Sequence, residues 1–242
     1  MLIIRSPSIA DRGFLKILGT NENDIILSDG IPFDDSTGRP DEIYAFDGDD
    51  LIFSRGGDDT IEGGAGDDTI ESADGADLVY GDDKLGDETG DDDIQSGRGN
   101  DTVYGGKGND DLRGGEGNDI VDGGKGDDSV VGGSDNDTLI GGEGNDTLEG
   151  KAGDDRFEFS GEMFGDDTIE DFNDPGDDTA AFDFRSFEYF DDNNDDTIDA
   201  NDVVANGRVE FDDGGLTLNF NADSSVYFED TDSLAVSDLD FS

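Results

Sequence analysis

The chain of 242 residues has no cysteine, no histidine and no tryptophan. Without cysteine there can be no disulfide framework, so any staple must be of another kind. That absence neither supports nor excludes secretion. Without histidine or cysteine, a zinc or copper site is hard to build, and most general-base and nucleophile-activation schemes have no residues to work with. Basic residues are scarce, 14 against 67 acidic ones, for a net charge of −53. Phosphate backbones are repelled by such a chain, so nucleic acid is not expected as a partner. No stretch approaches the ~18 apolar residues of a membrane span. Hydrophobic residues make up only 31% and charged ones 33%. A chain of this composition stays unfolded unless its charge is compensated.

What is present is a period. From Ala45 to Glu158 the chain reads in nines: AFDGDDLIF, SRGGDDTIE, GGAGDDTIE, SADGADLVY, then, after an interrupted unit, SGRGNDTVY and six more ending in GKAGDDRFE. The interrupted unit, GDDKLGDETGDDDIQ from Gly81 to Gln95, carries six extra residues. Position 6 is aspartate in all twelve units: Asp50, Asp59, Asp68, Asp77, Asp92, Asp101, Asp110, Asp119, Asp128, Asp137, Asp146 and Asp155. Position 8 is apolar in all twelve, from Ile52 to Phe157, and position 4 is glycine in eleven, with Asp135 the exception.

A short fixed period with one obligatory apolar position is the mark of a solenoid. One apolar residue in nine cannot sustain a helix face. It suits a very short strand whose single inward side chain stacks on its equivalents, with the remaining six residues in a tight glycine turn. Two units then close one coil, and equivalents on one edge are every second unit. Asp50, Asp68, Asp92, Asp110, Asp128 and Asp146 would line one edge, and the other six aspartates the other. Coils stack ~4.8 Å apart. Carboxylates at that spacing repel one another, so something positive must sit between the rungs. The donors on offer are carboxylates and turn carbonyls, all hard oxygen, which suits Ca²⁺ better than Mg²⁺.

The nonapeptide GGxGxDxUx, U being a large apolar residue, resembles that of the RTX, or haemolysin-type, calcium-binding repeats. The resemblance covers about half of the chain. It implies an all-β fold, a parallel β-roll with Ca²⁺ between consecutive turns, held by the twelve position-6 aspartates and by backbone carbonyls. Asp135 and the extra residues Asp83 to Glu88 depart from the pattern. The resemblance also implies export by type I secretion machinery through an uncleaved C-terminal signal, and extracellular work. No cleavable leader is expected, because the stretch from Met1 to Ile17 lacks an adequate apolar core and cleavage site.

Three regions are expected: residues 1–44, 45–158 and 159–242. In the first, GTNENDIIL from Gly19 to Leu27 reads as a decayed repeat, with Asp24 at position 6 and Ile26 at position 8, inside an N-terminal cap. Residues from Ser28 to Glu42 read as a turn-rich loop. The last region holds twelve of the sixteen phenylalanines and reads as a β-rich C-terminal cap. GDDTIEDF from Gly165 to Phe172 would place Asp167 in one more calcium-type turn. RVEF, DDGG and LTLNF read as a hairpin. A separate stretch follows the EF-hand loop pattern, with oxygens from Asp191, Asn193, Asp195, Thr197, Asp199 and Asp202. Asp196 stands there in place of the turn glycine, and Asp202 in place of the longer glutamate.

The functional expectation is a secreted calcium-binding β-roll that folds on binding Ca²⁺ and has a structural, adhesive or export-and-folding role. An RTX appendage of a larger secreted hydrolase or epimerase is the alternative. An enzyme is not expected. An ice-binding array is not built either, since position 3 holds one threonine, Thr89, and several charges. No aromatic patch marks a face for a protein or glycan partner.

Overall fold

A computed structural model of the chain describes residues 3–5, 15–20, 24–27, 38, 40–83, 89–160, 164–172, 178–183, 209–211, 215–221, 224–229 and 239–241. All regular structure among the described residues is strand, laid out as a parallel β-roll. Successive strands alternate between two sheets. The first sheet stacks Ile3–Arg5, Ile25–Leu27, Leu51–Phe53, Thr69–Asp74, Asp93–Arg98, Asp111–Glu116, Ser129–Ser134, Thr147–Ala152 and Gly165–Ile169. The second stacks Leu15–Leu18, Asp41–Asp47, Thr60–Ala65, Leu78–Tyr80, Thr102–Lys107, Ile120–Lys125, Thr138–Glu143, Arg156–Ser160, Thr179–Asp183 and Leu239–Phe241.

The register follows from the two-unit coil. Leu112 lies beside Val130, eighteen residues on, and Val121 beside Leu139. Across the insertion the step grows to twenty-four, Ile70 to Ile94 and Val79 to Val103, and the register of the apolar column is kept. Position 8 therefore forms two facing columns, one from each sheet, with every member at most 1% exposed. Each such side chain contributes about 1.5–3 kcal/mol by leaving water. The roll has no wider core than this along most of its length. At the C-terminal end aromatic residues widen it: Phe172 packs 5.9 Å from Phe157 and edge-on to Phe228 at 5.0 Å, and Phe159 lies 5.6 Å from Phe164.

The strands are longer than the one-apolar-position argument predicts. Most of those in the array run six residues, from position 7 through position 3, as in Thr102–Lys107. Two residues per strand point inward, at positions 8 and 1. The second needs no apolar side chain, because it is usually glycine and lets the chain fill its own interior. Only positions 4 to 6 turn. Glycine serves two sites of positive φ, not one: position 4, as at Gly108 (146°), and position 2, as at Gly106 (120°). Asp135 takes the position-4 conformation at 77°, in keeping with the tolerance of Asp for left-handed geometry. Phe46, Arg55, Ala73 and Lys151 take the position-2 conformation at 75–79°.

Coil geometry extends past both ends of the twelve-unit frame. Ile26 pairs with Ile52, as the decayed repeat implied. The expected loop up to Glu42 is cut short, since Asp41 and Glu42 already belong to the strand Asp41–Asp47. The pattern Asp41-x-Ile43 is positions 6 and 8 of a further unit. At the other end, Gly165–Ile169 pairs with Ser224–Glu229, and Val209–Phe211 and Gly215–Asn221 form the expected antiparallel hairpin beside it. The EF-type loop of residues 191–202 lies outside the described residues.

Candidate metal centre: the two aspartate ladders

Every position-6 aspartate is buried, between 1% and 3% exposed, and each lies on the edge that the two-unit coil assigns to it. On the edge where the chain leaves the second sheet, the backbone N–H of Asp50 donates to Asp68 Oδ1 at 2.7 Å. Asp68 donates likewise to Asp92, Asp92 to Asp110, and Asp110 to Asp128, each at 2.8 Å. Asp128 donates to Asp146 at 2.9 Å and Asp146 to Asp167 at 3.0 Å. The opposite edge repeats this from Asp41 through Asp59, Asp77, Asp101, Asp119, Asp137 and Asp155 to Asp178, at 2.8–2.9 Å. Asp24 heads the first ladder, donating to Asp50. The sequence reading placed Asp24 and Asp167 in such turns. It missed Asp41, hidden behind a turn-rich stretch, and Asp178, whose position 8 is only Ala180.

One oxygen of each rung is thus used to tie coils together. On eight rungs the other is not. Oδ2 of Asp68, Asp92, Asp110, Asp119, Asp128, Asp137, Asp146 and Asp167 is buried and accepts no hydrogen bond. A buried carboxylate oxygen left so is costly, by about 1–3 kcal/mol or more for a charged group. Position 1 explains where these oxygens sit. A Cβ added to Gly123 would lie 2.4 Å from Asp128 Oδ2 and 2.6 Å from the carbonyl oxygen of Gly141 in the next coil. Gly63, Gly105 and Gly114 repeat the arrangement. Glycine at position 1 therefore clears a space that a carboxylate and a carbonyl oxygen of adjacent coils both border. On the edge of Asp59, Asp77 and Asp101, Ser54, Ser72 and Ser96 stand at position 1, and their hydroxyls donate to the position-1 carbonyl one coil on, at 3.1, 2.9 and 2.7 Å.

Burial pushes these carboxyls up from their usual value. Asp68, Asp92, Asp128, Asp137 and Asp167 reach about 8, Asp77 and Asp119 about 7, and Asp50, Asp110, Asp146 and Asp155 about 6. Desolvation is the largest cause throughout. The N–H donated to Oδ1 pulls the other way, and neighbouring carboxylates on the ladder add to the rise in most of them. A column of this kind is not comfortable ionised unless a cation joins it. The donor set, carboxylate plus carbonyl, fits a hard divalent ion such as Ca²⁺. No three acidic side chains converge into one metal-ligating group among the described residues. A cation on a rung would therefore draw on one or two carboxylates and complete its shell with carbonyls or water.

A second ladder escaped the sequence reading. Position 5 is Asp or Asn in every unit but one, Ala76. Its Oδ1 accepts the N–H of the position-5 residue one coil later: Asn109 to Asp91, Asp127 to Asn109 and Asn145 to Asp127 at 2.8 Å, and Asn118 to Asn100 at 3.0 Å. This exposed ladder runs opposite to the buried one, so adjacent turns are clamped in both directions. The signal was the restriction of position 5 to two residue types that both carry an Oδ1. Outside the edges, Tyr80 and Tyr104 stack at 5.0 Å and 10° on the outer face of the second sheet. Twenty-four residues apart in sequence, they become neighbours only because the insertion preserves the coil register. Each ring gives one face to the other, so the pair reads as a strand-to-strand contact.

The folded edges define a class, a parallel β-solenoid with oxygen-lined rungs between its turns. The family follows from comparison with known proteins. Four copies of the RTX calcium-binding nonapeptide repeat match, at residues 37–61, 54–83, 88–121 and 122–157. The span from 37 to 157 is half of the chain, and the chain belongs to the RTX calcium-binding repeat proteins. The repeat array is a structural calcium-binding module. Among solved structures, the extracellular lipase LipA from Serratia marcescens is similar over 99% of this chain and 42% of its own, with 16% sequence identity and a TM-score of 0.42. The chain thus spans less than half the length of that lipase. No curated protein matches the chain.

Proposed function

We propose that this chain is an extracellular structural protein whose roll folds when Ca²⁺ enters the rungs of the two aspartate ladders. The observation that carries the reading is the row of buried, unpartnered Oδ2 atoms, which at Asp68, Asp92, Asp110, Asp119 and Asp128 share the position-1 space with a carbonyl oxygen of the next coil. Ca²⁺ bound there supplies the positive charge that a chain of net −53 lacks. Asp50, Asp59, Asp68, Asp77, Asp92, Asp101, Asp110, Asp119, Asp128, Asp137, Asp146 and Asp155 act as ligands through the oxygen not engaged in the ladder. Position-1 glycines keep the space open. Position-5 side chains hold the turns in register.

Extracellular calcium modules work at Kd ~10⁻⁴–10⁻³ M, so such rungs are empty in a cytosol and filled outside. An empty, self-repelling array suits transit through type I secretion machinery as an unfolded chain, with calcium driving folding on arrival. Residues 1–44 and 159–242 each add coils to the roll and cap its ends, and the loop at 191–202 is a separate site of EF type. The role is structural or adhesive, with no catalytic group assigned. Far-UV circular dichroism during a calcium titration, with stoichiometry from calorimetry, tests the reading. A cooperative coil-to-β transition near millimolar calcium with several ions per chain is expected. Equal strand content in EDTA and in calcium would overturn it.

A further inference from the structure

Position 1 divides the array unevenly. Eight of the twelve units have glycine there and one has Ala45, but three have Ser54, Ser72 and Ser96. The serines alternate with Gly63 and Gly81 along the chain. Because two units make a coil, that alternation puts all three on one edge, at the successive rungs of Asp59, Asp77 and Asp101. Further along the same edge, position 1 returns to glycine at Gly114, Gly132 and Gly150. The backbone does not ask for glycine here, since no position-1 residue of the array has a positive φ. What glycine supplies at position 1 is room. One reading of the serines is that they fill this room and do nothing more.

The contacts go further than filling. At Gly114, the first open unit of this edge, a Cβ would come 2.5 Å from Asp119 Oδ2 and 2.8 Å from the Gly132 carbonyl oxygen. At the serine units a Cβ and a hydroxyl stand in that space, and all three side chains are fully buried. Ser54 donates to the Ser72 carbonyl, Ser72 to the Ser96 carbonyl and Ser96 to the Gly114 carbonyl, so three hydroxyl ties run in series from coil to coil. The Ser72 and Ser96 hydroxyls also lie within hydrogen-bonding reach of the Asp77 and Asp101 carboxylates and favour their charged form. Each hydroxyl thus takes up the room beside its rung. It also occupies the carbonyl oxygen that a cation there would use, and turns the positive end of an O–H dipole toward it.

We propose that Ser54, Ser72 and Ser96 are plugs: each closes its rung with a hydroxyl, so that Asp59, Asp77 and Asp101 form the weakest cation sites of the array and fill last. The inference rests on the calcium reading above and ranks its sites. Calcium enters a plugged rung only by breaking the hydroxyl–carbonyl bond and moving the side chain aside. Until then the three bonds tie the first coils along one edge without a metal. A serine oxygen that ligated the ion itself would act with the opposite sign, tightening its rung.

The test is calcium calorimetry on the full chain, with the triple variant Ser54→Gly, Ser72→Gly, Ser96→Gly and with the converse, Gly114→Ser. Opening the three rungs should tighten the weakest binding steps by about two- to tenfold, the worth of one hydrogen bond at each site. Gly114→Ser sets a plug at the first open rung of this edge and should weaken one step, that of Asp119, by a similar factor. Circular dichroism at saturating calcium checks that each variant reaches wild-type strand content, and either variant alone decides if the other misses that check. Unchanged binding overturns the proposal. So does weaker binding in the triple variant or tighter binding in Gly114→Ser, which would make the hydroxyls ligands. These results leave the calcium roll intact, whereas a wild-type chain that binds no calcium overturns both.

Discussion

Asp128 separates the two roles of a rung, because Asn and Ala remove different things from it. Its Oδ1 accepts the Asp110 N–H at 2.8 Å, and its Oδ2 is buried without a partner. Asp128→Asn preserves the acceptor and deletes the charge. With calcium at about 10 mM and Kd of ~10⁻⁴–10⁻³ M, each ion contributes RT ln(1 + [Ca]/Kd), about 1.4–2.7 kcal/mol. Loss of one ion should therefore cost about that much in a urea melt followed by circular dichroism. Asp128→Ala also strands the buried Asp110 N–H, adding about 1–3 kcal/mol. The order of stability in calcium should be wild type, then Asn, then Ala. In low calcium the order of the first two should reverse, since Asn removes a carboxylate that burial and its neighbours Asp110 and Asp146 all penalise. The calcium concentration at the folding midpoint should rise for both variants. An Asn variant as stable as wild type in calcium would mean that Asp128 is not a ligand, and that the ladder is a hydrogen-bonding device only.

Four further expectations follow from the same geometry. Eleven of the ladder carboxyls have folded-state values of about 6–8 against 3.8 ordinarily, so the folded chain binds more protons than the unfolded one. Without metal, stability is therefore present below pH ~4 and lost as pH rises through ~6–8; in EDTA, strand signal should grow on acidification from pH 8, and a signal flat with pH would contradict the burial of the ladder. Gly142→Ala puts a Cβ 2.0 Å from the Gly124 carbonyl oxygen at a φ of 118°, and should cost about 2–5 kcal/mol from overpacking and left-handed strain, read as a fall in urea midpoint. Phe172→Ala removes the ring between Phe157 and Phe228 and should cost about 3–5 kcal/mol, with a less cooperative calcium transition if the aromatic end caps the roll. Replacing Asp191 and Asp195 together by Ala should lower calcium stoichiometry by about one, and an unchanged stoichiometry would rule out the EF-type site.

Much of the fold was legible because a solenoid repeats its own explanation. An apolar residue every nine positions, with aspartate two before it, implies a strand, a turn and a neighbour two units away. The columns from Ile52 to Phe157 and the rungs from Asp50 to Asp155 lie where that argument puts them. It failed where the repeat is degenerate or the signal is not hydrophobic. Asp41 was hidden by the turn residues before it, and Asp178 by an alanine at position 8. Strand length was underestimated because position 1 turns inward as glycine, which carries no hydrophobic signal.

What the sequence determined by itself is the period, the two edges and the chemistry of their donors, since these depend only on residue type and spacing. The tertiary structure decided which carboxylate oxygen is spent and which is left over. That depends on the distance between coils, and no single coil contains it. The same stacking turned position 5 into a second ladder, brought Tyr80 against Tyr104, and set the Ser72 hydroxyl against the carbonyl of Ser96. Each of these is a contact between residues eighteen or more apart in sequence, created when one coil comes to rest on the next.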